Sequence, residues 1–356
     1  MGSKLGRIVG ISLLTLVPGV SGGSETYARA LVRALGRVGG QSYLVLLPSI
    51  ATDVDGLPAE LVTAYPASRT TPGRLRAMTS ASVGRRVRGA LRRFDVVHFP
   101  LTVMVPPIRR PPAVSSILDV QHEYFPAFFS AAERAYRRAA YSWTARLSRL
   151  VVTISHHAAR TLVERLHIPE EKIRVIHLGL DHERFTPGSE ARTELLVYPA
   201  RAWPHKNHAR LFEAFAILRR RRPALELALP SYDGPAPDGA QALGWTPPEE
   251  VVRLYRTASA LVFPSLYEGF GQPPLEAMAC GCPVACSNAA SLPEVTGDAA
   301  RLFDPTSVEE MVAAVEDVLD RPEEYRRRGL RQAARFSWDE TARLHDAVYR
   351  EAGTSG

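Results

Sequence analysis

Short apolar, β-prone runs alternate with amphipathic helical segments from residue 7 to 179, stop, and begin again at 194. This doubled alternation constrains the fold more than any other feature of the chain. In the first series "RIVGISLLT", "SYLVLLPS", "DVVHFP", "AVSSILDV", "LVVTIS" and "KIRVIHLG" are interleaved with helical patterns near 24–36, 128–149 and 156–166. Such alternation argues a parallel sheet with helices covering both faces. The stretch "LDHERFTPGSEART" (180–193) carries proline, glycine and mixed charge without periodicity, and reads as a linker. The second series runs "ELLVYPA", a helix near 207–220, "LELALP", a helix near 247–257, "ALVFPS", another helix and "PVACS", with only helical patterns from 307 onward. The expected fold class is α/β, with two Rossmann-like doubly wound domains over residues 1–182 and 183–335. A terminal helix over 336–356 is expected to pack back toward the first domain.

Each half carries a glycine loop between strand and helix. In "LYEGFGQPPLEAMACGCP" (266–283) Gly269 and Gly271 allow backbone angles closed to other residues, and Pro273 and Pro274 suit the first turn of a helix. That helix is expected to run to Cys280 and stop at Gly281. A glycine loop beside a helix N-terminus is a ready anion site, with phosphate its common occupant. Glu276, expected in the first turn, either accepts hydrogen bonds from a ribose diol or complements the helix dipole. In the first half "TLVPGVSGGSET" places Gly19, Gly22 and Gly23 in a similar loop, with Ser24 as N-cap. This first loop is neither a G-x-G-x-x-G nor a P-loop, and "YLVLLPS" lacks a terminal acid for an NAD ribose. A dehydrogenase or P-loop ATPase therefore loses its main support.

A formal charge of +7 and a pI near 9.5 come mainly from arginine, as in "GRRVRGALRRF" and "RRRRP". They give long-range attraction to anions without naming one. Arg219–Arg222 read as a solvated helix end, and Arg85, Arg88 and Arg92 as one basic helical face open to anionic lipid or to water alone. Cys280, Cys282 and Cys286 fit neither a disulfide framework nor a zinc pattern and read as small core thiols. "PHKNH" has two histidines and no third ligand, so no metal is expected. The basic, apolar start runs straight into the first glycine loop, which argues against a cleaved leader, and "MGSKLG" lacks the sixth-position hydroxyl of a myristoylation signal. The expectation is a cytoplasmic protein, with peripheral contact at the inner face of the membrane through the basic first domain left open, and no nucleic-acid partner.

Taken in order, "GVSGGSETYARALVRAL", "DVQHEYFPAFFS", "VVTISHHAARTLVERLHIPEEKIRVIHLGLDHERFTP", "YPARAWPHKNHARLFEAFAIL", the long stretch from "ALGWTPPEEVVRLY" to "DAARLFDP", and "RFSWDETA" resemble the retaining glycosyltransferases of family 4 over nearly the whole chain. The resemblance implies a GT-B architecture, two such domains facing a cleft, with a nucleotide-sugar donor on the second. It implies that Glu276 holds the ribose and that Glu268 faces the donor sugar. Backbone groups at Gly269, Phe270, Gly271, Pro274 and Leu275 would hold sugar and diphosphate, with Arg201 and Lys206 at the diphosphate in place of a metal. Gly22 and Gly23 join the donor-binding set, and Gly244 and Trp245 are candidates for the wall of the base site. No cofactor is implied, the nucleotide sugar being a substrate.

Where many relatives carry a His-Asp pair, this chain has Leu118 and Asp119. His122 either substitutes for that histidine as a catalytic group or is a loop histidine packed on Tyr124. The chemistry implied is front-face transfer of a sugar, with GDP-mannose the first guess for the donor, to an unread acceptor: a polysaccharide, a lipid-linked sugar or a small molecule. The alternatives are a GT-B phosphorylase or epimerase, and a non-catalytic nucleotide-sugar or carbohydrate binder.

Overall fold

The computed structural model describes residues 7–20, 22–51 and 53–354. The basic first six residues, on which the myristoylation argument turned, lie outside the described residues. The chain divides into two compact units. One comprises residues 1–179 with 338–356 and the other residues 180–337.

Among the described residues the first unit has seven strands: β1 (Ile8–Ser12), β2 (Ser42–Leu47), β3 (Ala59–Leu61), β4 (Val96–Phe99), β5 (Ala113–Ser116), β6 (Leu150–Thr153) and β7 (Ile173–Val175). They lie in the order β3-β2-β1-β4-β5-β6-β7, every pairing parallel. All residues of β4, β5 and β6 are buried, as a sheet covered on both faces requires. One cover is the helix Gly22–Val38, whose Leu31, Val32 and Leu35 share a core with Val9 and Ile11. The terminal helix Trp338–Thr354 lays Ala342, Val348, Tyr349 and Ala352 into that same core, although more than 150 residues separate it from β7.

A fully buried polar chain links this helix to the sheet, and its direction follows from donor counting. His345 Nδ1 must donate to the Thr341 carbonyl at 2.7 Å, so Nε2 accepts from the Tyr27 hydroxyl at 2.8 Å. Tyr27 then accepts from Ser116 (2.7 Å), Ser116 accepts from His98 Nε2 (2.8 Å), and His98 Nδ1 accepts from Tyr349 (2.9 Å). Both histidines are neutral. Burial holds both pKa values down, that of His345 to about 4.

The second unit has six strands: β8 (Thr193–Val197), β9 (Glu226–Pro230), β10 (Ala240–Gly244), β11 (Ala258–Phe263), β12 (Val284–Ser287) and β13 (Ala300–Phe303). Their order is β10-β9-β8-β11-β12-β13, again all parallel. Strand order reverses between β8 and β11, and the crevice beyond the carboxyl ends of strands at such a reversal is where open α/β sheets bind ligands.

Two expectations change here. The stretch read as a linker packs onto the second unit: Arg192 donates to the carbonyls of Tyr255, Ala258, Cys280 and Gly281, and Arg256 holds Thr186. Strands β3, β10 and β13 went unread. All three are sheet edges, short and partly exposed, and edge strands carry polar residues that blur the pattern. The three cysteines are buried and unpaired, as core thiols should be. At the helix end Arg219, Arg221 and Arg222 pair with Asp238, Glu316 and Asp320 at the surface. Among the described residues no helix is long and apolar enough to cross a membrane.

Candidate functional site

The two loops that leave the carboxyl ends of β8 and β11 carry most of the residues expected to act. The first loop contains Arg201 and Lys206 and tightens into a turn at Pro204–Lys206 before the helix His208–Arg221. Asn207 closes that turn in the left-handed region, at φ 62°, where asparagine is tolerated better than most residues. Its Nδ2 donates to the carbonyls of Pro264 (3.0 Å) and Pro305 (2.8 Å). The Leu266 amide donates to the His205 carbonyl at 2.8 Å, and the Tyr198 hydroxyl donates to the Lys206 carbonyl at 2.7 Å. These ties lock the first loop against the second.

The consequence is a direct pair: Lys206 Nζ lies 2.6 Å from Glu268 Oε1, with both side chains 15% exposed. Arg201 is exposed, its guanidinium 5.8 Å from the centre of the Trp203 ring. The neighbouring His205 and His208 are held neutral, pushed down to about 4 by burial first and by the Lys206 charge as well.

Beyond Glu268 the loop is pinned from beneath, Ser291 Oγ reaching the carbonyls of Glu268 (2.9 Å) and Phe270 (2.7 Å). Gly271 caps the helix Gln272–Ala279 at φ 115°, and a Cβ there would lie 2.7 Å from Leu292 Cδ2. Only glycine meets both demands. Phe270, Pro274 and Leu275 point into the core, so any part they take in binding belongs to their backbone. Proline has no N–H, which removes Pro274 as an amide donor to a diphosphate.

Glu276 falls in the second turn of this helix instead of the expected first, and the attraction of the dipole for an acid fades past the first turn. What it has instead is a hydrogen bond from the Tyr255 hydroxyl at 3.3 Å. Burial raises its pKa to about 7, against the lowering effect of Tyr255 and of the Arg184 charge.

Gly244 ends β10 at φ 58°, with its amide already given to the Tyr232 carbonyl at 2.8 Å. Trp245 follows it, 81% exposed.

Gly22, Gly23 and His122 belong to the first unit. Gly22 opens the helix at φ 52°, which puts the expected N-cap Ser24 inside the first turn. Gly23 has no described atom within 4 Å of where a Cβ would stand, so packing within the unit does not call for glycine there. His122 is buried in a short helix, Gln121–Tyr124, with its ring edge-on to Tyr141 at 5.2 Å and to Phe129 at 6.3 Å.

Tyr198, Asn207, Tyr255 and Ser291 escaped sequence reasoning. Asn207 alone had a local signal, an asparagine directly before a helix. Tyr198 reaches across eight residues to Lys206, Tyr255 across 21 to Glu276 and Ser291 across 23 to Glu268.

Two family profiles match the chain: "Glycosyltransferase Family 4" over residues 21–184 and "Glycosyl transferases group 1" over residues 235–335. O-antigen chain mannosyltransferase B of Escherichia coli is 33% identical over 222 residues, which are 54% of this chain and 58% of that protein. The MMP alpha-(1->4)-mannosyltransferase of Mycolicibacterium hassiacum is 34% identical over 57% of this chain and 54% of its own length. The chain thus spans just over half the length of the curated relatives it matches. Among solved structures, sucrose-phosphate synthase from Thermosynechococcus elongatus is similar with a TM-score of 0.76 and 18% identity, over 97% of this chain and 98% of that one. The two profile matches and the mannosyltransferase relatives support a group 1 glycosyltransferase, with the α/β architecture of two parallel sheets expected of GT-B proteins.

Proposed function

We propose that the protein is a retaining hexosyltransferase that binds a nucleotide sugar on its second unit and passes the sugar to an acceptor hydroxyl without a metal. The reading rests on the meeting of Lys206 and Glu268 where strand order reverses in the second sheet, above a helix that opens in a glycine turn. Glu268 faces the sugar, Glu276 takes the ribose diol, and Trp245 offers a flat wall to the base. The bond from the anomeric carbon to the diphosphate breaks with its electron pair on the departing oxygen. The acceptor oxygen attacks from the same face and gives its proton to that leaving phosphate. Lys206 and Arg201 stabilise the charge that develops there, and this lowers the barrier because the charge is larger in the transition state than in the bound donor.

Mannose is the sugar we favour, since both relatives named above are called mannosyltransferases, and GDP-mannose is the donor proposed with it. The basic helix Arg85–Leu91 would suit contact with an anionic membrane surface.

Calorimetric titration with GDP, UDP, dTDP and ADP tests the donor class, and tighter binding of UDP than GDP would overturn the GDP assignment. Anomeric analysis of the product tests the mechanism. Inversion, or activity lost to EDTA and restored by magnesium, would sink it.

A further inference from the structure

Past the carboxyl end of β5 the first unit holds a cavity of about 370 Å³ between the short helix Gln121–Tyr124 and the start of the helix Ala131–Leu147. His122, Glu123, Pro126, Ala131, Arg134 and Arg138 form its wall. Two buried polar groups of that wall lack hydrogen-bond partners: both ring nitrogens of His122, a side chain 1% exposed, and Nε of Arg134. His122 Nε2 stands 3.5 Å from Glu123, too far for a good hydrogen bond.

Glu123 has its charge answered elsewhere. Arg138 grips both of its oxygens and holds the carboxyl below the usual range. Glu133, in the first turn of the long helix, is likewise taken by Arg137. Both acids are held by arginines, Asp119 also acts on Arg137, and Arg134 adds a further guanidinium to the cavity wall. The amino end of a 17-residue helix adds to it with the same sign. Buried donors without partners are costly, and an anion that satisfies them recovers that cost.

We propose that this cavity binds the phosphate group of a phosphorylated acceptor, with Arg134 and the N–H of His122 as donors. Its volume exceeds that of a phosphate alone, leaving room for the sugar or polyol that carries it. The acceptor role rests on the transferase reading above; the phosphate site does not.

The imidazole resonance of His122, assigned with His122→Gln, reports on the cavity directly by NMR. Inorganic phosphate, mannose 1-phosphate and mannose are titrated in turn into the full chain. Both phosphates should shift the resonance, the sugar phosphate with at least tenfold higher affinity, and mannose should not. Arg134→Gln should weaken both phosphates tenfold or more, Arg134→Lys less, with nucleoside diphosphate affinity unchanged in each. Inorganic phosphate binding as tightly as the sugar phosphate would overturn the acceptor assignment. No shift with either, or an unaltered response in Arg134→Gln, would overturn the site. A failure of the transferase reading appears separately, as absent nucleoside diphosphate binding.

Discussion

Lys206 and Glu268 neutralise each other at 2.6 Å before any donor arrives, yet an ammonium has three N–H donors and only one is needed for that pair. Lys206→Ala should therefore lower turnover far more than donor affinity, by about a hundredfold or ~3 kcal/mol, as for the loss of one oxyanion donor. Steady-state kinetics beside calorimetric donor affinity checks the split. Equal losses in both would mean that Lys206 serves binding alone. Glu276 makes a second case, because its pKa is raised by burial to about 7 and a ribose diol needs an ionised acceptor. Nucleoside diphosphate should bind more tightly as pH rises through 7, with proton release, and Glu276→Gln should abolish that dependence while weakening binding by roughly 1 to 3 kcal/mol. A pH-independent affinity in the native protein would remove Glu276 from the ribose. Both carboxylates stood out in the sequence by their spacing around a glycine loop. The pairing of Glu268 with Lys206 and of Glu276 with Tyr255 did not, since those contacts cross 62 and 21 residues.

At the scale of elements, the terminal helix Trp338–Thr354 is tied to the sheet by a hydrogen-bonded chain with a single allowed direction. Nitrogen NMR should find His345 as the Nδ1–H tautomer and His98 as the Nε2–H tautomer, and the opposite assignment for either would refute the donor count. Tyr349→Phe leaves His98 Nδ1 buried without a donor and should cost about 1 to 3 kcal/mol in denaturant unfolding. The helix itself was legible from its apolar spacing. Its return toward the first domain was expected from the sequence, but the buried partners it meets there were not, because the chain completes the whole second unit before returning to the first.

For the whole molecule the charge balance predicts an asymmetric response to pH. An unfolded histidine gains its proton near 6.5, whereas His205, His208 and His345 when folded gain theirs only near 4. Between those values the unfolded state binds more protons, so stability falls as pH falls, by at most about 3 kcal/mol for each histidine. Glu276 acts in the opposite sense: with its pKa raised from 4.5 to about 7, it costs stability as pH rises through that range. Three groups outweigh one. The melting temperature should drop from pH 6.5 to 4, and Glu276→Gln should raise it at pH 8; a flat profile over the acid range would contradict the burial of these rings. Two units also mean that calorimetry can resolve two transitions, which a single midpoint would conceal.

The sequence by itself determined the two α/β halves and the glycine loops, because apolar period, glycine and proline act within a few residues of themselves. It also placed Arg201, Lys206 and Glu268 on their loops, and Glu276 on the helix that follows, through motif order. Tertiary structure alone decided that Lys206 meets Glu268, that Asn207 and Ser291 fix the loops, and that the apparent linker belongs to the second unit. It also set the pKa of Glu276, which depends on burial by residues distant in the chain. Strand order, from which the meeting of β8 and β11 follows, is a property of chain connections in space. A local pattern does not carry it, because the same alternation of strands and helices is compatible with more than one order in a sheet.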